Sequence, residues 1–387
     1  MNILFITDLY PVKSDEKTTP RTLLAFVEEW KKMGHNVDIL KPNFILNSFL
    51  RGKPFYKSGQ YEAVFNVNYW TPFLGNVKSK LPNLPKYDIV VAHMPSGILF
   101  ADKLGLPFVA GIHNSDIEVL TSPLYKIHFK PRLKKALKNA KAIACRSFVL
   151  QDKLLKLYPE FEEKTFVAPS GIDEKAVMFL DAKRNEKHSA DTNFSRFTSH
   201  VSLSSDMNHS LLTTHHSPIK AITCAHFKKR KNIDKVIKAC KGLEGFELTV
   251  IGDGKERKNF EKIDKNVIFT GHLPHDEVLA KMRESDVFVL PSVGETFGMV
   301  YLEAMASGCI TVCTKGDGID GIIKNGENGF LTEPTVENIR ETLLNIKRLD
   351  DKKLEALSIN SFSTIYEYTS TKTATHYLQQ ILRFCKD

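Results

Sequence analysis

Residues Val289–Gly308 read V-L-P-S-V-G-E-T-F-G-M-V-Y-L-E-A-M-A-S-G. The apolar run Val287 to Leu290 predicts a short buried strand, and Pro291-Ser292 ends it in a turn. A loop with Glu295 follows, then Gly298, then an apolar-periodic helix that holds Glu303 and closes at Gly308. A helix opening near Gly298 or Met299 points its free N–H groups beyond the carboxyl end of the strand, where they and the helix dipole favour a phosphate. Glu303, about one turn further on and on the side of Met299, is spaced to accept hydroxyl hydrogen bonds from a ribose. Glu295, on the preceding loop, can do the same for a sugar on the other side of the phosphates. A ligand with hydroxyls at both ends and charge in the middle fits this pattern, and a sugar nucleotide is such a ligand.

Working outward, strand and helix alternate in both halves of the chain. In the first half, Ile3 to Ile6 predicts a strand and Arg21 to Met33 a helix with Leu23, Phe26, Val27 and Trp30 on one face. Gly34-His35-Asn36 turns into a strand at Val37 to Leu40, and further strands follow at Ile89 to Ala92, Phe108 to Ile112 and Ala142 to Cys145. A second series starts at Ile219, with strands at Ala221 to Cys224, Glu247 to Ile251, Val267 to Phe269, Val287 to Leu290 and Cys309 to Cys313. This alternation predicts an α/β protein with two doubly wound parallel sheets. The 387 residues suffice for two domains that each bury a core. Their expected bounds are 1–170 and 171–370, with a helix at about 371–387 packing back on the first. Residues 178–217, rich in Ser, Thr, His and Asn, read as an insertion or long linker, and their histidines lack metal-ligand spacing.

Six cysteines without a C-x-x-C pair lie mostly in apolar segments, as buried thiols in a reducing compartment do. The opening Met1-Asn2-Ile3-Leu4-Phe5-Ile6 lacks the basic start of a signal peptide, and no stretch approaches the ~20 apolar residues of a membrane span. The expected location is the cytoplasm, with peripheral attachment to the inner face of the plasma membrane.

The net charge of +9 is uneven. Residues 1–170 hold 24 Lys and Arg against 15 Asp and Glu, whereas the remainder holds 30 of each. From Val119 to Gln151 there is no acid, yet Lys126, Lys130, Arg132, Lys134, Lys135, Lys138, Lys141 and Arg146 fall there. Asn43 to Pro82 mixes cations with Phe, Tyr and Trp around a single acid, Glu62. Such stretches form either a solvated basic face or a contact with anionic lipid. Lys130, Lys134, Lys135 and Lys138 are the candidate acceptor- or membrane-facing cations. No nucleic-acid-binding motif accompanies them, so nucleic acid is not an expected partner.

The segment Glu295, Phe297, Gly298, Glu303, Ala304, Met305, Ala306 and Gly308 resembles the donor-site signature of the family-4 glycosyltransferases, retaining enzymes of the group 1 type. The resemblance implies the GT-B fold, two facing Rossmann-like domains with an interdomain cleft, and it extends over nearly the whole chain outside 178–217. Gly111-Ile112-His113-Asn114-Ser115-Asp116 resembles the loop whose histidine faces the donor sugar. Pro169-Ser170-Gly171-Ile172-Asp173 resembles the hinge, with Ser170 where asparagine is usual. Gly252-Asp253-Gly254 resembles the G-x-G turn, and Phe269-Thr270-Gly271 the segment that reads the base. The family's phosphate-binding arginine and lysine fall on His226 and Lys231, with Lys228 and Arg230 as candidates for the second cation.

Carried over residue by residue, the resemblance implies catalytic roles for Glu295, His113 and Lys231. It implies donor contacts from Glu303, Lys228, Arg230, Phe297, Gly298, Met299, Val300, Thr270, Gly271 and Gly252. The family's Gly-Gly loop is absent from Val12 to Pro20, so that contact must differ, and Thr18, Thr19 and Arg21 are the candidates to replace it. No D-x-D motif lies in a suitable loop, so neither a metal nor a cofactor is expected. The expected donor is a nucleotide sugar, UDP before GDP, and the expected acceptor a glycan or a polyprenyl-linked glycan. A GT-B sugar-nucleotide epimerase or hydrolase and a non-catalytic GT-B subunit remain alternatives. A Rossmann dehydrogenase does not, because Thr7-Asp8-Leu9-Tyr10-Pro11 stands where G-x-G-x-x-G would follow the first strand.

Overall fold

Unbroken apolar runs such as Ile-Leu-Phe-Ile and Val-Phe-Val-Leu bury side chains on both faces of a strand, which requires helices above and below a parallel sheet. The computed structural model has two such sheets, and it describes residues 1–10, 22–44, 64–69, 83–177 and 218–385. The expectations for 178–217 and for Thr18, Thr19 and Arg21 lie outside the described residues. The chain divides into one unit of Met1–Gly171 with Ser370–Asp387 and another of Ile172–Thr369.

In the first unit the elements are β1 (Asn2–Ile6), α1 (Thr22–Lys32), β2 (Asn36–Phe44), β3 (Val64–Tyr69), β4 (Ile89–His93), α2 (Met94–Leu104), β5 (Phe108–Ile112), α3 (Asn114–Thr121), α4 (Phe129–Asn139), β6 (Ala142–Cys145), α5 (Phe148–Leu157) and β7 (Thr165–Val167). The seven strands pair in parallel in the order β3-β2-β1-β4-β5-β6-β7. β3 lies inside the aromatic and basic stretch 43–82, so that part of it is an edge strand and not a free surface segment. Most of the remaining stretch lies outside the described residues.

The second unit contains β8 (Ile219–Cys224), α6 (Ile233–Cys240), β9 (Phe246–Ile251), α7 (Arg257–Phe260), β10 (Ile268–Gly271), α8 (His275–Arg283), β11 (Val287–Leu290), α9 (Met299–Ala306), β12 (Ile310–Thr314), β13 (Phe330–Thr332), α10 (Val336–Lys347) and α11 (Asp351–Glu367). Its strand order is β10-β9-β8-β11-β12-β13, again parallel. The order reverses direction beside β1 and β4 in one sheet and beside β8 and β11 in the other. Ligands of doubly wound sheets bind beyond the carboxyl ends of the strands at such points.

The last helix, α12 (Ser370–Cys385), returns to the first unit. It lies against α1: Trp30 Nε1 donates to Ala374 O at 2.9 Å, and the Tyr377 ring meets Phe26 edge-on at 5.3 Å. Tyr377 and Trp30 are fully buried in the same core as Ile3, Phe5 and Val91. Among the described residues no helix is long and apolar enough to cross a membrane.

Candidate active site

The loop after β8 carries the cations, and the loop after β11 carries the acid that meets them. Lys229–Lys231 form one 3-10 turn, closed by Asn232 in the left-handed region with φ of 52°. Asn232 Nδ2 donates to Pro291 O at 2.7 Å, and Val293 N donates to Arg230 O at 2.8 Å. These two bonds dock the cationic turn onto the β11 loop. Lys231 Nζ then reaches Glu295 Oε1 at 2.5 Å and Arg230 Nη1 reaches the same oxygen at 2.7 Å. Burial opposes ionisation of Glu295, but the charges and hydrogen bonds of Lys231 and Arg230 outweigh it and hold the carboxyl below its ordinary value. Lys228 is exposed at the start of the turn.

Asp317, after β12, positions this loop. Its carboxylate accepts from Gly294 N at 2.5 Å and from Glu295 N at 2.8 Å, so the backbone around Glu295 is fixed from a third strand end. Sequence reading missed Asp317. The available signal was its place between Gly316 and Gly318, in a glycine-flanked loop directly after a strand.

α9 begins as the sequence indicates, with Gly298 as its N-cap at φ of 93°. A Cβ on Gly298 would lie 2.4 Å from Cε2 of Tyr301, whose hydroxyl donates to Leu290 O at 2.8 Å. Glycine is therefore required both by the dihedral and by the aromatic ring that ties the helix to β11. Met299 and Val300 are half-buried against the core, whereas the Phe297 side chain is buried within it. Phe297 thus fixes the loop from below, and only its backbone remains for a ligand.

Glu303 is half-buried, with Oε1 3.2 Å from His275 Nε2. The hydrogen bond to Glu303 raises the His275 imidazole above its ordinary value, against the effect of burial. His275, at the start of α8, is a second residue that the sequence did not single out.

Gly252, Gly271 and Thr270 lie at the ends of β9 and β10. Gly252 N donates to Gly271 O at 2.9 Å, and Thr270 Oγ1 donates to the same carbonyl at 3.1 Å. Gly252 has φ of 131°, and a Cβ there would fall 1.9 Å from Ala225 O. The three neighbouring strand ends can close together only with glycine at that position. The second unit therefore combines two carboxylates, two cations, a helix N-terminus and backbone from adjacent strand ends at its switch point.

His113 belongs to the first unit. It ends β5 and caps α3, where Asp116 Oδ2 accepts from its backbone N–H at 2.8 Å. Its Nε2 lies 3.0 Å from Nδ1 of His93, which ends β4, and His93 Nε2 lies 3.2 Å from the Tyr377 hydroxyl. Burial, with the Arg146 guanidinium, pushes the His113 imidazole down to about 3, and His93 is also lowered. Burial raises the Asp8 and Asp116 carboxyls, and Oδ1 of each lacks a hydrogen-bond partner among the described residues.

Two cations of the acid-free stretch are not free surface charges. Arg146 is buried and donates to Ala168 O and Ser170 Oγ. Lys134 pairs with Glu160 at 3.2 Å and lies over the Tyr158 ring. Lys130 is half-buried, whereas Lys135 and Lys138 are exposed. Among the described residues no group of three or more His, Cys, Asp or Glu could hold a metal ion.

Two parallel doubly wound units, one carrying the Lys231–Glu295 site, define the GT-B class. Two family models divide the chain along the same lines: Glycosyltransferase Family 4 matches residues 20–176, and Glycosyl transferases group 1 matches 211–363. The chain belongs to the group 1 glycosyltransferases. It is 27% identical over 256 residues to an uncharacterized glycosyltransferase of Methanocaldococcus jannaschii, covering 65% of this chain but only 61% of that protein. It is 23% identical to the putative teichuronic acid biosynthesis glycosyltransferase TuaC of Bacillus subtilis, over 89% of this chain and 88% of that one. The structure of Anabaena HepE in complex with UDP superposes with a TM-score of 0.65 at 15% identity, covering 99% of this chain and 100% of HepE.

Proposed function

We propose that the chain transfers a sugar, with retention of configuration, from a nucleotide-sugar donor to a glycan or polyprenyl-linked acceptor in the assembly of a bacterial surface polysaccharide. The observation that carries this reading is the pairing of Lys231 and Arg230 with Glu295 beside the N-terminus of α9. In the structure the Glu295 carboxylate offsets one of the two positive charges. An incoming diphosphate takes over that role and releases the carboxylate for sugar hydroxyls. Glu303, exchanging His275 for a ribose, holds the nucleoside end. As the glycosidic bond breaks, Lys231, Arg230 and the N–H groups of α9 stabilise the charge that develops on the diphosphate. The leaving phosphate accepts the acceptor proton, so no side chain need become covalently glycosylated. We assign His113 to the donor sugar on the family resemblance.

UDP is the proposed nucleotide, a choice supported by the UDP complex of HepE. Association with polysaccharide assembly is supported by the name of TuaC. The proposed location is the inner face of the plasma membrane, and the proposed chemistry needs no divalent ion, because the cationic turn supplies the charge. A thermal-shift panel of sugar nucleotides tests the donor: a ligand at 100 times its Kd adds about 2.7 kcal/mol of stability. Transfer must then persist in EDTA and yield the donor's anomeric configuration in the product. Inverted product, or release of free sugar with every acceptor offered, would refute the reading.

A further inference from the structure

Between α3 and α4 the chain turns through Ser122–His128, and the two most exposed large apolar side chains among the described residues stand there. Leu124 is 71% exposed and Ile127 79% exposed. Both lie on a built turn. Ser122 Oγ accepts from Leu124 N at 3.3 Å, and Arg132 Nη1 donates to His128 O at 3.2 Å. Tyr125 and Phe129 meet edge-on at 6.0 Å and pack against the core, which anchors the turn from below. Exposed Lys126 stands between the two aliphatic residues in sequence and half-buried Lys130 follows them, within a stretch that contains no acid.

We infer that Leu124 and Ile127 form an apolar wedge that enters an anionic lipid surface, with Lys126 and Lys130 on its headgroups. The inference rests on the proposed lipid-linked acceptor and supplies its place of encounter. Aliphatic tips interleaved with cations match the layering of a bilayer interface, apolar chains below and negative headgroups above. A second copy of the chain is a poor occupant, because two side chains fall far short of the ~800 Å² per partner of a stable protein interface. The wedge also has a fixed relation to the chemistry of its own unit. Helix α3 has 8 residues and runs from His113 to this turn, a span of about 12 Å at 1.5 Å per residue. A rigid, core-packed helix therefore couples depth at the membrane to the position of His113.

The test uses the full chain and vesicles of phosphatidylcholine, alone or mixed with phosphatidylglycerol. Wild type should co-sediment with the mixed vesicles. Salt should weaken this binding through Lys126 and Lys130, leaving the apolar component. Leu124→Asp with Ile127→Asp should reduce partitioning on the order of a hundredfold, about tenfold for each side chain withdrawn from the lipid. The milder Leu124→Ala with Ile127→Ala should fall between that variant and wild type, and UDP should stabilise all three proteins equally against heat. Vesicle binding without any transfer to a lipid-linked acceptor would support the wedge while refuting the proposed function. Absence of wild-type binding to mixed vesicles at low salt, or unchanged binding by the Asp variant, would overturn the wedge. So would a lipid-free dimer of wild type that the Asp variant dissociates.

Discussion

His93 Nδ1 and His113 Nε2 lie 3.0 Å apart, with both rings out of solvent at the ends of adjacent strands. Burial disfavours the charged imidazole, and Arg146 adds repulsion, so His113 is pushed from the ordinary 6.5 down to about 3. The unfolded chain takes up this proton near 6.5 and the folded chain only near 3, so the contribution of His113 to stability is present above 6.5 and lost as pH falls toward 3. Asp116, whose carboxyl is raised by burial, acts in the opposite sense. The titration of the ring itself is therefore the direct measurement. Imidazole NMR signals of His113 should show no midpoint near 6.5; a midpoint there would contradict a buried neutral pair.

The Lys231–Glu295 contact predicts two separable losses. Lys231→Ala should weaken binding of UDP far more than binding of uridine, because the contact given up is to phosphate. Glu295→Ala should leave UDP binding nearly intact and lower turnover of the sugar donor. A charged hydrogen bond contributes about 1.5–3 kcal/mol, so each loss should be roughly 10- to 150-fold. Equal loss of UDP and uridine in the lysine variant would make Lys231 a structural residue. Calorimetric titration of both ligands decides between these.

Asp317 yields a prediction about positioning. Its carboxylate holds the N–H groups of Gly294 and Glu295. Asp317→Ala leaves both donors without that acceptor, at a cost of about 1–3 kcal/mol, and frees the loop that carries Glu295. The variant should melt lower and lose kcat, whereas Asp317→Asn, which keeps an acceptor oxygen, should recover part of each. An alanine variant with wild-type melting and turnover would remove Asp317 from the site.

The fold was legible because parallel strands buried on both faces are written as unbroken apolar runs, and each run is punctuated by glycine, proline or polar turns. The β11–α9 segment was legible for the same reason: Pro291, Gly298 and Gly308 mark its turns, helix cap and helix end. Pairings across the sheet were less visible. Lys231 and Glu295 are 64 residues apart, and they meet only because β8 and β11 are neighbours in a crossed strand order. Asp317 and His275 act at the site through partners 22 and 28 residues away, which no local period encodes. Charge counting likewise grouped Arg146 with the surface lysines, although it is buried on Ala168 O and Ser170 Oγ. Composition records how many charges a segment holds, whereas burial depends on the strand that carries each one.

Gly298 offers the sharpest test of the helix that faces the proposed diphosphate. Alanine at this position meets two separate obstacles: φ of 93°, and a Cβ only 2.4 Å from the Tyr301 ring. The dihedral alone costs on the order of 1–3 kcal/mol. The ring cannot move aside freely, because its hydroxyl is bonded to Leu290 O at the end of β11. Gly298→Ala should therefore lower the melting temperature and weaken UDP binding by at least tenfold, since α9 must shift its first N–H groups. Adding Tyr301→Leu removes the clash but not the strained dihedral, so the double variant should regain part of the stability lost by Gly298→Ala, measured against Tyr301→Leu alone. Full recovery would mean that the ring contact is the whole obstacle. No recovery would mean that the left-handed cap is what the site requires. Unimpaired UDP binding by Gly298→Ala would show that the N-terminus of α9 does not hold the phosphates.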